Sequence, residues 1–89
     1  MIRDHQSAVS IYPNPAGGNV DFRFSILDSR FLSLRIYNAL GREVAVVLDE
    51  RMPAGEHVVP FDVSNLPKGV YFVRMTDERT VQAVKLVIQ

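Results

Sequence analysis

The chain has 89 residues and not one cysteine or tryptophan. Without cysteine there are no disulfides, no thiol nucleophile and no cysteine-based zinc site. That absence fits a cytosolic protein, and equally an exported bacterial protein that does without disulfides, so it leaves the compartment open. Charge of either sign is not in excess: ten Lys and Arg balance ten Asp and Glu, and no run of one sign reaches four. Nucleic acid and anionic membrane surfaces both demand clustered cations, so neither is expected as a partner. No apolar run is long enough to span a bilayer. The opening Met1-Ile2-Arg3-Asp4-His5-Gln6 lacks the apolar core of a signal peptide. Residues 1–8 therefore read as a flexible linker, or as the start of a module excised from something larger.

Catalytic signatures are missing as well. There is no Gly-x-Ser-x-Gly, no His-Glu-x-x-His and no phosphate-cradling glycine loop. His5 lies in the loose start, and His57 opens a strand, where a lone histidine reads as a surface polar residue. Asp49-Glu50 and Asp77-Glu78 are each followed by an arginine (Arg51, Arg79) that would repel a cation, so both read as solvated turns rather than calcium loops. No catalytic residue, metal or cofactor is expected, and the chain reads as a non-enzyme.

What is present is alternation. At 47% hydrophobic residues the chain is one small globular domain, able to bury about 60–65% of its unfolded surface. Residues 8–12 form a short strand that stops at Pro13-Asn14-Pro15-Ala16-Gly17-Gly18, which excludes helix and central strand alike. Residues 19–27 alternate with Val20, Phe22, Phe24 and Ile26 inward. Residues 31–38 carry Leu32, Leu34 and Ile36 on one face and Phe31, Ser33, Arg35 and Tyr37 on the other. Asn38-Ala39-Leu40-Gly41 closes a hairpin in which Gly41 supplies a left-handed residue. Residues 42–48 alternate poorly, but three valines in so short a stretch favour strand over helix. Residues 49–55 read as a loop, and 56–61 as a strand in which Pro60 implies an edge position or a bulge. Residues 70–77 and 80–89 form a last hairpin. Seven short strands with turns every eight to twelve residues predict an antiparallel sandwich of two sheets.

Leu66-Pro67-Lys68-Gly69-Val70-Tyr71-Phe72-Val73 sharpens that expectation. A turn with Pro and Gly followed by a Tyr early in a strand has the form of the tyrosine corner of Greek-key sandwiches, where a cysteine stands two residues further on. Here Val73 holds that place. The expected fold is all-β, a seven-stranded immunoglobulin-like sandwich held by packing alone, with a core including Val20, Phe22, Phe24, Leu34, Ile36, Phe61, Leu66, Tyr71 and Val73. Nearly all the aromatics are assigned to that core. Tyr12 and Tyr37 alone remain as candidates for a sugar-binding platform, and half-burial is their simpler reading.

Three stretches remain distinctive: Ile11-Tyr12-Pro13-Asn14-Pro15-Ala16-Gly17-Gly18, Ile36-Tyr37-Asn38-Ala39-Leu40-Gly41-Arg42-Glu43-Val44, and the Leu66 to Val73 turn and strand with the closing Val84-Lys85-Leu86-Val87-Ile88-Gln89. In order and spacing they resemble the type A C-terminal sorting domain of the type IX secretion system of Bacteroidetes and their relatives, over nearly all of residues 9–89. The chain is also similar to the immunoglobulin-like domain related to the flagellar hook-capping protein, which shares the Pro-Asn-Pro start, the Tyr-Asn-x-x-Gly hairpin and the Gly-Val-Tyr strand. That family often carries Trp-Asp-Gly before its last turn; here Phe61-Asp62-Val63-Ser64-Asn65-Leu66 stands there, which favours the sorting domain, as does the Lys-Leu-Val ending. The resemblance implies a non-catalytic address label for an N-terminal cargo protein, exported through the periplasm to the cell surface or the extracellular space. Its implied partners are the outer-membrane translocon and a surface peptidase, with the label itself a monomer. Lys68, Gly69, Tyr71, Lys85, Leu86, Val87 and Ile88 are the residues expected to be read by the translocon. The alternative is a structural or adhesive accessory module, carbohydrate-binding included. In the closing strand Val81, Ala83, Lys85 and Val87 share one face and Val84, Leu86 and Ile88 the other. At a sheet edge such a strand suits pairing with a receptor strand; otherwise it simply completes the sandwich, with Lys85 snorkelling to solvent.

Overall fold

The structure is a computed structural model and describes residues 9–89. The alternation is realised as seven strands: β1 (Ser10–Tyr12), β2 (Asn19–Ile26), β3 (Arg30–Asn38), β4 (Glu43–Met52), β5 (Gly55–Asp62), β6 (Gly69–Thr76) and β7 (Val81–Ile88). No helix forms among the described residues. Antiparallel pairing arranges them as two sheets, β1-β2-β5 and β4-β3-β6-β7, the immunoglobulin-like sandwich read from the pattern. Because strand side chains alternate between faces, β2 delivers Val20, Phe22, Phe24 and Ile26 to the interior, β3 delivers Leu32, Leu34 and Ile36, and β6 delivers Tyr71, Val73 and Met75, all buried. Removing that apolar area from water is what holds the two sheets face to face.

The corner and hairpin form as their residues demand. The Tyr71 hydroxyl donates to the Pro67 carbonyl at 2.6 Å, and Val73 is wholly buried. In the β3–β4 hairpin Gly41 takes φ +87°, a region that favours glycine. The Asn38 side chain accepts the Leu40 and Arg42 amides there, each at 3.0 Å.

Five expectations are corrected. Residues 49–55 are not a loop: β4 runs on to Met52, which opposes Arg30, leaving Pro53 and Ala54 to carry the chain into the other sheet. The poor alternation has a cause in the two register irregularities of β4, opposite Leu34/Arg35 and Ile36/Tyr37, which shift the phase of an edge strand. Val63, not Leu66, is the wholly buried side chain near the tyrosine corner; Leu66 and Phe61 are half-buried against the core. Aromatics are also less uniformly interior than expected, since Phe31 and Phe72 stand on the outer face of the larger sheet. Each belongs to a strand apolar on both sides, and the interior takes the other side. His57 is half-buried rather than simply a surface polar residue. It opposes Phe24 on the inner side, its ring 5.4 Å from the Phe24 ring, and its Nε2 lies 2.7 Å from the Pro53 carbonyl.

Glu78 and Arg79 are exposed as a solvated turn requires, but the Asp77 side chain is not. That side chain is 3% exposed and pairs with Arg30 at 2.8 Å, tying the β6–β7 hairpin to the start of β3. Its other oxygen accepts the amides of Arg79 and Thr80, both at 2.8 Å. Burial pushes this carboxyl up, but those two amides and the Arg30 guanidinium outweigh it and lower it to about 2.

Candidate functional site

The residues expected to be read by a receptor converge at one end of the larger sheet. Pairing of β6 with β7 sets Gly69 opposite Ile88, Val70 opposite Val87, Tyr71 opposite Leu86 and Phe72 opposite Lys85, so the Lys68-Gly69 turn meets the last residues of the chain. They are not equally accessible. The side chains of Tyr71, Leu86 and Ile88 are in the core; Lys68 and Lys85 are exposed; Gly69 and Val87 are half-buried. Gly69 has φ +152°, so a side chain there would be strained.

β7 is an edge strand that pairs with β6 alone, and the polar groups along its free side fall into two stretches. In an antiparallel pair, a residue directs its N–H and C=O to the same side, and successive residues alternate. Val87 directs both away from β6: its amide donates to Asn14 Oδ1 at 3.0 Å and its carbonyl accepts the Ala16 amide at 2.8 Å. Asn14 Nδ2 donates to the Lys85 carbonyl at 2.9 Å, and the Gln89 amide donates to the Ala16 carbonyl at 2.7 Å. The segment around Asn14 thus covers the edge from the Lys85 carbonyl to Gln89. By the same alternation, Val81, Ala83 and the amide of Lys85 face outward, with no strand beside them among the described residues.

Asn14 and Ala16 were not foreseen as part of this site. The signal was available. An asparagine between two prolines cannot extend a ladder through its neighbours' amides, yet its side chain offers one acceptor and one donor group, the two halves of a strand residue's edge.

Above the open stretch lies the outer face of β3, β6 and β7. The Arg74 guanidinium sits 4.6 Å from the centre of the Tyr37 ring. A shallow depression of about 250 Å³ is lined by Tyr37, Gly41, Phe72, Arg74 and Ala83 among others. Arg35, on the same face, is compensated by Glu43 at 3.1 Å and Asp49 at 3.2 Å. Its hydrogen bond with Glu43 is the main reason its already high pKa rises further. Arg74 and Lys85 have no carboxylate partner among the described residues. Tyr12, 70% exposed, opposes Asp21 on the outside of the smaller sheet, across the sandwich from Tyr37, so the two tyrosines form no common platform. Among the described residues no three His, Asp or Glu side chains converge to hold a metal ion, and no helix is long and apolar enough to cross a membrane.

The model of one family, the secretion system C-terminal sorting domain, matches residues 10–89. The chain belongs to that family. The match covers every strand, from β1 through β7, and supports a role as a C-terminal sorting signal for type IX secretion, a route out of the cell. A comparison with curated proteins finds none that matches. In this sorting domain the Asn14 clamp and the β7 edge it half covers both lie within the matched residues.

Proposed function

We propose that this sorting domain delivers a protein joined ahead of it through the outer-membrane translocon of the type IX system to the cell surface or beyond, where a surface peptidase removes it. It does no chemistry of its own. The observation that carries the reading is the family match over residues 10–89, joined to an edge strand at the end of the matched region that is only partly covered. Contact is made by the exposed side chains of Lys68 and Lys85, by Val87 and by the backbone at Gly69, while Tyr71, Leu86 and Ile88 act from the core by fixing the shape of that end.

A secreted reporter fused ahead of residues 1–89, in a bacterium with this secretion system, tests the reading. The intact fusion is expected outside the cell, and Lys68→Ala with Lys85→Ala is expected to reduce export while the melting temperature stays within a few degrees. Deleting residues 85–89 is the weaker experiment, because it removes Leu86 and Ile88 from the core and confounds recognition with folding. Full retention of the intact fusion in the periplasm would sink the proposal.

A further inference from the structure

The sandwich has four edge strands, β1, β5, β4 and β7, and three of them are poor templates for another strand. β1 has 3 residues, β5 contains Pro60, which has no amide to donate, and β4 is irregular in register and carries Glu43, Asp49, Glu50 and Arg51. β7 pairs regularly from end to end, and Asn14 and Ala16 close only its last part. The remaining part presents outward amides at Val81, Ala83 and Lys85 and outward carbonyls at Val81 and Ala83. Beside it the outer face is apolar and open: Val81 is 61% exposed and Phe72 42%. The small side chain of Ala83 lines the depression together with Phe72 and Tyr37. Arg74 and Lys85, which have no carboxylate partner among the described residues, flank it through the pairs Arg74–Ala83 and Phe72–Lys85.

We infer that the open part of β7 takes an extended segment of a partner protein as an added strand, and that this segment carries acidic side chains toward Lys85 and Arg74, alternating with the backbone contacts. A strand laid about 4.8 Å beyond β7 places every second side chain on the same outer face as Ala83 and Lys85. Successive carboxylates there lie beside Lys85 and, across the small Ala83, toward Arg74. Main-chain pairing supplies affinity and the charge selects the partner. A second copy of this chain fits less well, since its own β6 and β7 bring two further cations, Arg74 and Lys85, and no carboxylate to the contact. The inference deepens the sorting reading and rests on it for where the partner stands, but not for the contact itself.

The test uses short synthetic peptides of alternating valine and glutamate, and of valine and lysine, titrated into the 89-residue chain and followed by amide-resolved NMR. The acidic peptide is expected to shift and protect the amides of Val81, Ala83 and Lys85 and to move the Phe72 and Tyr37 ring signals. Lys85→Glu is expected to weaken it by about tenfold or more. Ala83→Pro is expected to do the same without unfolding the domain, because the amide it removes faces away from β6 and edge strands accept proline at such positions. Equal binding of both peptides, absence of binding, or shifts confined to β4 or β5 would overturn the inference. So would sedimentation showing a dimer that protects the same amides, which assigns the edge to a second copy. A reporter fusion that stays in the cell while the acidic peptide still titrates onto β7 counts against the sorting reading alone. Undiminished export of the Ala83→Pro fusion counts against strand docking alone.

Discussion

The last residues of β7, from the Lys85 carbonyl onward, are closed by Asn14 and Ala16, whereas the outward amides and carbonyls of its first residues, Val81 and Ala83, have no partner among the described residues. Both parts pair with β6 in the same regular register, and both are rich in β-forming residues, so propensity does not distinguish them. What differs is a neighbour 71 to 73 residues away in sequence, an asparagine amide standing in for a strand. An edge protected by charge or proline is protected by its own residues. Here protection is borrowed from the other end of the domain, and it stops part-way. The closed part also carries the two β7 side chains that are fully in the core, Leu86 and Ile88, so the anchored and the available parts of the strand are separate.

The largest expected effect lies on the anchored side. Leu86→Ala removes a side chain with no exposed surface and should cost about 2–5 kcal/mol, a large share of the roughly 5–15 kcal/mol that holds a native domain together. Urea denaturation measures it, and a loss well under 1 kcal/mol would mean that this part of β7 is not the anchor. Next comes the point where the open part is tethered at its start. Asp77 is depressed from 3.8 to about 2, a difference worth about 2 kcal/mol. A depressed carboxyl contributes fully above its unfolded value, so this stability is present above about pH 4, fades as pH falls from 4 toward 2, and is gone below. Asp77→Asn should therefore be less stable at pH 7 by an amount of that order. It should also show a flatter fall in stability between pH 4 and 2. An acid-unfolding curve with the wild-type slope would remove Asp77 from the tether.

Most of the fold was legible because period-2 alternation survives wherever one face is buried. β2, β3 and β6 each announced their inward residues correctly, and Gly41 and Tyr71 announced their turn and corner. Legibility failed where tertiary partners decide. The polar run Asp49-Glu50-Arg51 looks like a loop until β3 pairs with it. Asp77 looks solvated until Arg30 arrives from 47 residues away. For the candidate site, spacing brought Lys68, Gly69 and the β7 residues together but not which of them face inward, since apolar residues occupy both faces of β7. Asn14 went unread because its partners are backbone atoms, and backbone leaves no pattern in sequence.

The clamp itself is the third lever. Asn14→Ala deletes the hydrogen bonds to the Lys85 carbonyl and the Val87 amide, two exposed bonds together worth about 1–2 kcal/mol. Amide exchange at Val87 is expected to quicken toward the rates of Val81 and Ala83, with Leu86 still protected by β6. If exchange along β7 is uniform in the wild type and unchanged in the variant, the closed and open parts are not distinct.

The smallest effect is the most pointed check on the open part. Val81 is 61% exposed on the outer face and lies opposite Thr76, so Val81→Thr keeps a β-branched side chain on the strand while exchanging a methyl for a hydroxyl that water can reach. Little apolar area is lost, and the change in stability should stay within about 0.5 kcal/mol, the ordinary range for surface substitutions. The same variant lowers the apolar character beside Ala83, and it should weaken acidic-peptide binding without moving the melting temperature beyond a degree or two. A destabilisation above about 1 kcal/mol would show that Val81 is packed in the native domain, and the open part of the edge would then be closed by something other than solvent.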